Sequence, residues 1–201
     1  MIKLDLLKVS LHYAVNKASE FIENGKVVAY PTETFYALGA KYNNDDALRR
    51  IYHIKKRPTD KVFPLIVGSA KVLEAVTEHM SCIHSLLIDK YWPGPLTILF
   101  QGNQRLSSFI CSPDNHVAVR IPGESFAYYF SNNVSFPITA TSANVSGHAP
   151  STSPEMVFDY FGNTIDLLID GGNTPGGLPS TIVKVENDGS VDIIRQGACV
   201  L

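Results

Sequence analysis

The chain has 201 residues, of which 45% are hydrophobic and 18% charged, and its formal net charge is −2. This size and apolar content suffice for one domain with a substantial core, and no charged or Pro/Ser-rich linker divides residues 1–201. The charge excludes a protein that coats nucleic acid by bulk charge alone, although a local basic groove is compatible with it.

Cysteine and histidine usage gives no sign of a metal centre or a disulfide framework. The three cysteines are widely separated without a Cys-x-x-Cys spacing, and the six histidines form no His-x-x-x-His pair. The sequence also has no secretory signal segment and no apolar run of about 18 residues. We therefore expect a cytoplasmic protein with no metal ligands and no membrane contact.

The first predicted helix covers residues 11–24, where apolar side chains recur at helical spacing and Gly25 follows as a left-handed cap. A short apolar strand is predicted at residues 26–30, and Pro31 ends it. The chain then presents two hydroxyls and a carboxylate at the strand end, from Thr32, Glu33 and Thr34.

Asn44 is predicted to cap a second helix over residues 45–53, whose exit is strongly basic. Six of the seventeen Lys and Arg residues fall between positions 49 and 61. A solvated face is the better interpretation for Arg49, Arg50 and Lys56, as for most charge runs. For Lys55 and Arg57, which alternate at the helix exit, an anion site competes with that interpretation.

The middle of the chain alternates between short predicted strands and helices. Strands are predicted at residues 63–67, 96–100 and 117–121, helices at 70–77 and 81–91, and a rigid turn at Trp92-Pro93-Gly94-Pro95. Arg120 interrupts the apolar run of the third of these strands. A buried arginine requires an anionic partner, so either an internal carboxylate or a bound carboxylate or phosphate should face it.

The last third of the chain continues this interleaving. Helices are predicted over residues 124–131 and from Ser153, strands at 138–140 and 166–169, a loop of turn formers at 171–180, and a hairpin formed by residues 181–186 and 191–195. The irregular order predicts an α/β fold with a twisted mixed sheet flanked by helices.

Residues 136–147 pass from a brief apolar segment to small hydroxyl and amide residues. This composition suits close approach of the backbone to a polar ligand, and it equally suits a tight turn solvated by its own side chains. The sequence has no Walker phosphate loop, no dinucleotide fingerprint and no serine-hydrolase elbow. Cationic and hydroxyl groups at strand and helix ends remain, and they suit binding of polyphosphate and carboxylate.

An ordered series of motifs runs along almost the whole chain. Its members are Tyr30-Pro31-Thr32-Glu33-Thr34, Lys55-x-Arg57-Pro58 with Asp60-Lys61, Trp92-Pro93-Gly94-Pro95-Leu96-Thr97, Val119-Arg120-Ile121-Pro122, Thr141-Ser142-Ala143-Asn144-Val145-Ser146-Gly147, Pro179-Ser180-Thr181-Ile182 and Arg195-x-Gly197. In this order they resemble the threonylcarbamoyl-AMP synthase family, also called the YrdC-like or TsaC domain, in its single-domain type.

The resemblance implies a twisted α/β fold with a basic concave cavity. It further implies conversion of L-threonine, bicarbonate and ATP to threonylcarbamoyl-AMP and pyrophosphate, with Mg²⁺ accompanying ATP. Other tRNA-modification proteins would then complete threonylcarbamoyladenosine on tRNA, and binding of double-stranded RNA or tRNA is implied as well.

The same resemblance assigns roles by motif. The catalytic group around the nucleotide phosphates would be Lys55, Arg57, Ser142 and Asn144. ATP contacts would come from Arg57, Lys61, His116, Ser142, Ser151 and Arg195. Threonine would be held by Thr32, Thr34, Arg120, Ala140 and Ser180.

One departure from the family pattern concerns the amino-acid pocket. Many relatives have a histidine that helps to hold threonine, whereas the two alignments of this segment place Ile66 or Gly68 there. Two alternatives therefore stand beside the synthase: a YciO-like paralogue with a different adenylation activity, and an RNA- or ribosome-binding protein without this activity.

Overall fold

The computed structural model describes residues 1–58 and 61–201, which form six α-helices and twelve β-strands. The helices are α1 (Leu11–Glu23), α2 (Asp45–Lys55), α3 (Ala70–Leu73), α4 (Cys82–Tyr91), α5 (Phe126–Asn132) and α6 (Pro154–Phe161). The strands are β1 (Ile2–Asp5), β2 (Val28–Pro31), β3 (Tyr36–Gly39), β4 (Leu65–Ile66), β5 (Thr77–His79), β6 (Leu96–Gly102), β7 (His116–Arg120), β8 (Ile138–Thr139), β9 (Thr141–Ser142), β10 (Leu167–Asp170), β11 (Thr181–Val185) and β12 (Val191–Arg195).

The strands form two mixed sheets, so the α/β prediction is confirmed with two sheets in place of one. Sheet A has the order β1-β10-β2-β3-β9, and sheet B has the order β12-β11-β6-β7-β4-β8 with β5 added beside β6. The predicted strand at residues 138–140 is in fact two strands in different sheets, since β8 pairs with β4 and β9 pairs with β3. The chain therefore crosses between the sheets at Ala140.

The caps predicted at Gly25 and Asn44 are confirmed, and the structure adds an N-cap at Ser10. Ser10 accepts from the Tyr13 amide at the start of α1, and Gly25 follows its end with a φ of 72°. Asn44 caps α2 by accepting from the Ala47 amide. This helix continues two residues beyond its predicted end and stops when Lys56 turns into the left-handed conformation. No helix in the described part of the chain is both long enough and apolar enough to cross a bilayer.

Some predicted elements are longer than those in the structure. The helix predicted over residues 70–77 ends at Leu73, because Thr77–His79 extends and pairs with β6 as β5. The strand predicted over residues 63–67 is regular only at Leu65–Ile66. The lengths of this helix and this strand depend on pairing with strands that are distant in sequence. Local composition does not reveal that pairing.

Sheet B presents two different faces, and this alternation positions the site. Ile98, Phe100, Val117, Val119 and Val183 are fully buried in the main hydrophobic core. Because successive side chains of a strand point to opposite faces, the residues between them face the other way. That second face carries hydroxyl and guanidinium groups and forms one wall of a cavity.

Candidate functional site

A cavity of about 470 Å³ opens between sheet B and the strand ends of sheet A. Sheet B contributes Leu65, Thr97, Leu99, Ala118, Arg120, Ile182, Ile194 and Arg195. The facing wall comes from the segment that joins β2 to β3, from the crossover between the two sheets and from nearby loops, through Thr32, Thr34, Phe35, Tyr36, Ala37, Ala140, Thr141, Ser142, Pro150, Pro179 and Ser180.

The structure brings most of the predicted site residues to this one cavity. Those in the lining are Thr32, Thr34, Arg57, Arg120, Ala140, Ser142, Ser180 and Arg195. The remaining predicted residues are Lys55, Lys61, His116, Asn144 and Ser151, and they lie outside the lining. Two of these, Lys55 and Asn144, lie directly behind it.

Lys55, at the end of α2, is hydrogen-bonded to residues 142–146, which follow the crossover between the two sheets and are called the crossover loop. Its side chain is 1% exposed, and its Nζ donates to the main-chain oxygens of Ser142 and Asn144, the latter at 2.7 Å. Its own main-chain oxygen accepts from the Ser146 amide at 2.8 Å. Lys55 and this loop therefore meet in space, and in this arrangement Lys55 binds the loop backbone rather than facing the cavity.

Asn144 stabilises the same loop from within. Its side-chain nitrogen donates to the oxygens of Val145 and His148, and its Oδ1 accepts from the Ser142 hydroxyl at 2.6 Å. These bonds fix the turn that follows β9. Ser142 is thereby held at the cavity wall.

Burial lowers the pKa of the Lys55 ammonium to about 7, and the nearby Arg57 charge contributes to the shift. Desolvation disfavours a buried ammonium, whereas hydrogen bonds to carbonyl oxygens favour it. The three acceptors around Nζ, two main-chain oxygens and Asn144 Oδ1 at 3.5 Å, therefore oppose the effect of burial.

Arg57 lines the cavity at the basic exit of α2. Its guanidinium donates to the main-chain oxygens of Lys61 and Val62 at 3.0 and 2.8 Å, and lies 5.1 Å from the centroid of the Phe63 ring. Lys61 itself is exposed. Asp60, which belongs to the same sequence motif, lies outside the described residues.

The other residues of the basic run have separate partners. Arg49 is exposed and pairs with Asp46 at 3.0 Å, which agrees with a solvated face. Arg50 instead reaches Asp166 at 2.6 Å and is half-buried, so the solvated interpretation was wrong for this residue. It ties α2 to the segment before β10.

Arg120 is 8% exposed and donates through Nη1 to Oε1 of Glu33. The anionic partner that burial of this arginine requires is thus an internal carboxylate. Glu33 was not among the residues to which the family resemblance assigned a role. Its position as the only carboxylate in the strand-end segment was the signal that could have identified it.

Arg195 crosses the mouth of the cavity towards Ser180. Its guanidinium donates to the Ser180 main-chain oxygen at 2.7 Å and to the Ser180 hydroxyl at 3.2 Å, and that hydroxyl lies 2.9 Å from Thr97 Oγ1. Desolvation by the surrounding wall, with the positive charge of Arg120, lowers the pKa of Arg195. The two arginines therefore experience each other's charge.

His116 and Ser151 occupy supporting positions. His116 begins β7 on the same face as Ala118 and Arg120, and its Nδ1 lies 2.9 Å from Asp114. Ser151 is fully buried, and its hydroxyl donates to the Ala143 main-chain oxygen. It therefore holds the main chain at Ala143, between the two main-chain oxygens that Lys55 binds.

The two positions aligned with the relatives' histidine supply no polar side chain. Ile66 is fully buried in the hydrophobic cluster that also contains Tyr30 and Phe126, and it lies outside the cavity lining. Gly68 packs so closely on α5 that an added Cβ would lie 2.4 Å from the Ser131 main-chain oxygen. Neither position therefore supplies the histidine that the family resemblance leads us to expect.

Within residues 1–58 and 61–201, no three His, Cys, Asp or Glu side chains cluster as metal ligands. The described lining of the cavity also contains no Asp or Glu. Mg²⁺ is commonly held by one or two carboxylates together with substrate phosphates. These residues do not fit a resident magnesium site.

A family model named Sua5/YciO/YrdC, with the description telomere recombination, matches residues 20–197. The chain belongs to the Sua5/YciO/YrdC family. It is 35% identical over 173 residues to a threonylcarbamoyl-AMP synthase from Pyrococcus abyssi, a match that covers 86% of this chain and 51% of the relative. The chain therefore spans about half the length of that relative.

Solved structures of the Sua5/YciO/YrdC family share this fold. The structure of P. abyssi Sua5 complexed with L-threonine superposes with a TM-score of 0.88 at 32% identity, covering 98% of this chain and 57% of that one. The crystal structure of E. coli YciO gives a TM-score of 0.82 at 25% identity, covering 98% of this chain and 93% of that one.

Proposed function

We propose that this protein is an L-threonylcarbamoyladenylate synthase, a nucleotidyltransferase that forms threonylcarbamoyl-AMP and pyrophosphate from L-threonine, bicarbonate and ATP. The observation that carries the proposal is one cavity that combines a carboxylate-binding arginine, Arg120, with a second cationic group around Arg57, Ser142 and Arg195. Such a cavity suits an amino acid and a nucleotide bound side by side.

The amino-acid subsite is built around Arg120. Because Nη1 is engaged by Glu33, the carboxylate of threonine would be received by Nε and Nη2, which have no hydrogen-bond partner in the described part of the chain. Hydroxyl groups surround this end of the cavity. Thr32, Thr34 and Ser180, with the main chain at Ala140, would complete the subsite.

The nucleotide subsite lies at the other cationic group. Arg57 and Arg195 would contact the phosphates directly, since both line the cavity. The Ser142 hydroxyl, which also lines it, would contact them by turning its proton from Asn144 to a phosphate oxygen. Lys55 and Asn144 would act through the loop that carries Ser142. Lys61, His116 and Ser151 are proposed as further ATP contacts or supports of this subsite.

The proposed reaction needs no protein nucleophile. Bicarbonate takes up a proton and loses water to give carbon dioxide. The neutral threonine amine then attacks its carbon and releases a proton, which yields a carbamate. A carbamate oxygen then attacks the α-phosphorus of ATP in line, and the bond to the β-phosphate oxygen breaks as pyrophosphate leaves. Alignment of two anions and neutralisation of phosphate charge are the main demands on the protein.

ATP would arrive as its magnesium complex, in which the metal neutralises phosphate charge. The adenylate would pass to other tRNA-modification proteins, which transfer the threonylcarbamoyl group to tRNA. We place this reaction in the cytoplasm and propose that the cavity mouth also meets double-stranded RNA or tRNA during transfer.

The direct test is pyrophosphate release from the purified protein with ATP and each of the standard amino acids, with and without bicarbonate. A signal that requires both L-threonine and bicarbonate supports the synthase. Equal release with several amino acids, or release without bicarbonate, contradicts it.

A YciO-like activity is the second candidate, favoured by the 93% coverage of E. coli YciO. It predicts ATP binding without threonine-dependent pyrophosphate release. Salt-sensitive RNA binding without ATP turnover would instead support an RNA-binding protein.

A further inference from the structure

Glu33 is a buried carboxylate beside the cavity that the proposed chemistry does not use. It lies between Thr32 and Thr34, which both line the cavity, and its side chain is only 16% exposed. Oε1 accepts from Arg120, whereas Oε2 is buried without a hydrogen-bond partner among the described residues. An unpaired buried carboxylate oxygen is costly, so a reason for retaining it should exist.

The packing around Glu33 holds its carboxylate against Arg120. Gly123, just beyond β7, faces the Glu33 side chain, and a Cβ added there would lie 3.3 Å from Glu33 Cγ. Both partners of the charge pair are also largely buried. The pair therefore lies at the edge of the cavity, with Arg120 in the lining and Glu33 outside it.

The two arginines Arg120 and Arg195 consequently differ in how far their positive charge is compensated. Arg120 is neutralised by Glu33, whereas the hydrogen bonds of Arg195 go to neutral oxygens of Ser180. Arg195 has no salt bridge among the described residues, so its positive charge remains uncompensated there. One end of the cavity therefore holds a cation and an anion together, and the mouth at Arg195 holds net positive charge.

These two environments suit different ligands. A phosphate carries only negative charge and is favoured where a cation lacks a counterion. An α-amino acid carries a carboxylate and an ammonium group, which match the signs of Arg120 and Glu33. A simple carboxylate gains only the first attraction and is repelled by Glu33.

We infer that Glu33 is a specificity-determining residue that makes the Arg120 end of the cavity bind a zwitterionic α-amino acid in preference to a simple anion. The inference rests on the proposed function, because it assumes that the amino acid binds at Arg120. It assigns Glu33 a role in ligand discrimination beyond that of a structural counterion.

The test compares L-threonine with (R)-3-hydroxybutyrate, which has the same carboxylate and hydroxyl but no ammonium. Calorimetric titration of the wild type should give a dissociation constant for threonine about tenfold or more lower than for hydroxybutyrate. In Glu33→Gln the ratio of the hydroxybutyrate dissociation constant to the threonine dissociation constant should fall to about one. The substitution removes both the attraction for the ammonium group and the repulsion of the simple carboxylate.

Glu186→Gln is the matched control, because it removes a Glu carboxylate from an ion pair with Lys184 outside the cavity lining. It should retain the wild-type ratio. An unchanged ratio in folded Glu33→Gln overturns the inference. Should Glu33→Gln fail to fold, the wild-type ratio alone decides, and a value near one overturns it.

Failure of the proposed function would be seen separately. If the wild type binds neither ligand, the assignment of threonine is wrong. Pyrophosphate is then used to test whether the Glu33 carboxylate weakens anion binding in the cavity. Pyrophosphate should then bind about fivefold more tightly to Glu33→Gln than to the wild type or Glu186→Gln. Equal affinity in all three proteins overturns the inference on its own.

Discussion

Lys55 Nζ lies 2.7 Å from the main-chain oxygen of Asn144, although 89 positions separate the two residues in sequence. The contact joins the end of α2 to the loop that follows β9. It converts a buried lysine into a support for the cavity wall at Ser142. The lysine of the Lys-x-Arg motif is therefore a positioning residue in this structure.

Substitution Lys55→Met should loosen that loop, because the main-chain oxygens of Ser142 and Asn144 lose their donor. We expect pyrophosphate release to fall about 100-fold, by analogy with the loss of one preorganised electrostatic contact. Hydrogen exchange at the amides of residues 142–146 should accelerate at the same time.

Lys56→Met is the control for this substitution, since Lys56 is the exposed neighbour. It should leave both activity and amide exchange unchanged. Full activity in Lys55→Met would show that the loop is held adequately without Lys55.

The pH dependence of stability should also report on Lys55. Its pKa of about 7 in the folded protein lies below the ordinary value of 10.5, so above pH 7 the unfolded state binds more protons. Wild type should therefore gain stability relative to Lys55→Met as pH rises from about 7 to 10, by at most about 1.4 kcal/mol per pH unit. Urea unfolding of both proteins at pH 7 and 9.5 measures the difference. A constant difference would indicate that the carbonyl acceptors keep Lys55 charged throughout.

Removal of Arg120 should destabilise the fold as well as the amino-acid subsite. Arg120→Ala leaves Glu33 buried without a counterion, which typically costs about 3–5 kcal/mol. The double variant Glu33→Gln/Arg120→Ala should recover part of this loss in urea unfolding, because the isolated charge is gone. If the double variant is less stable than Arg120→Ala, the charge pair is not the source of the effect.

Arg195→Ala tests the nucleotide end with less effect on folding, since this arginine is exposed and bonds only to Ser180 among the described residues. We expect transition-state stabilisation to fall by about 2–4 kcal/mol, measured as kcat/KM for ATP. The comparison variant Arg49→Ala removes another exposed arginine, from the surface pair with Asp46, and should leave kcat/KM unchanged. Equal kcat/KM values for the two variants would show that Arg195 does not belong to the nucleotide subsite.

The sequence predicted the elements whose signals are local. Asn44 and Ser153 cap the helices that they were expected to start, and the final hairpin forms about Asn187-Asp188-Gly189 as its turn composition indicates. Local signals could not show that Ala140 divides one apparent strand between two sheets, because that depends on pairing with β4 and β3.

The candidate site shows the same division between local and distant information. Motif order brought Arg57, Arg120, Ser142, Ser180 and Arg195 into consideration, and all of them line one cavity. The pairing of Glu33 with Arg120 could not be predicted, since 87 positions separate the two and either an internal or a bound anion satisfied the requirement. Burial of Lys55 behind the wall was likewise invisible, because it belongs to a basic run in which Arg49, Lys56 and Lys61 are exposed.

The most direct test of the proposed reaction follows the carbon of bicarbonate into the product. The protein is incubated with ATP, L-threonine and ¹³C-bicarbonate, and the nucleotide products are separated and weighed by mass spectrometry. We predict an adenylate that contains threonine and one ¹³C atom, formed in step with pyrophosphate. An unlabelled threonyl-adenylate, or no threonine-containing nucleotide at all, would contradict the proposed reaction.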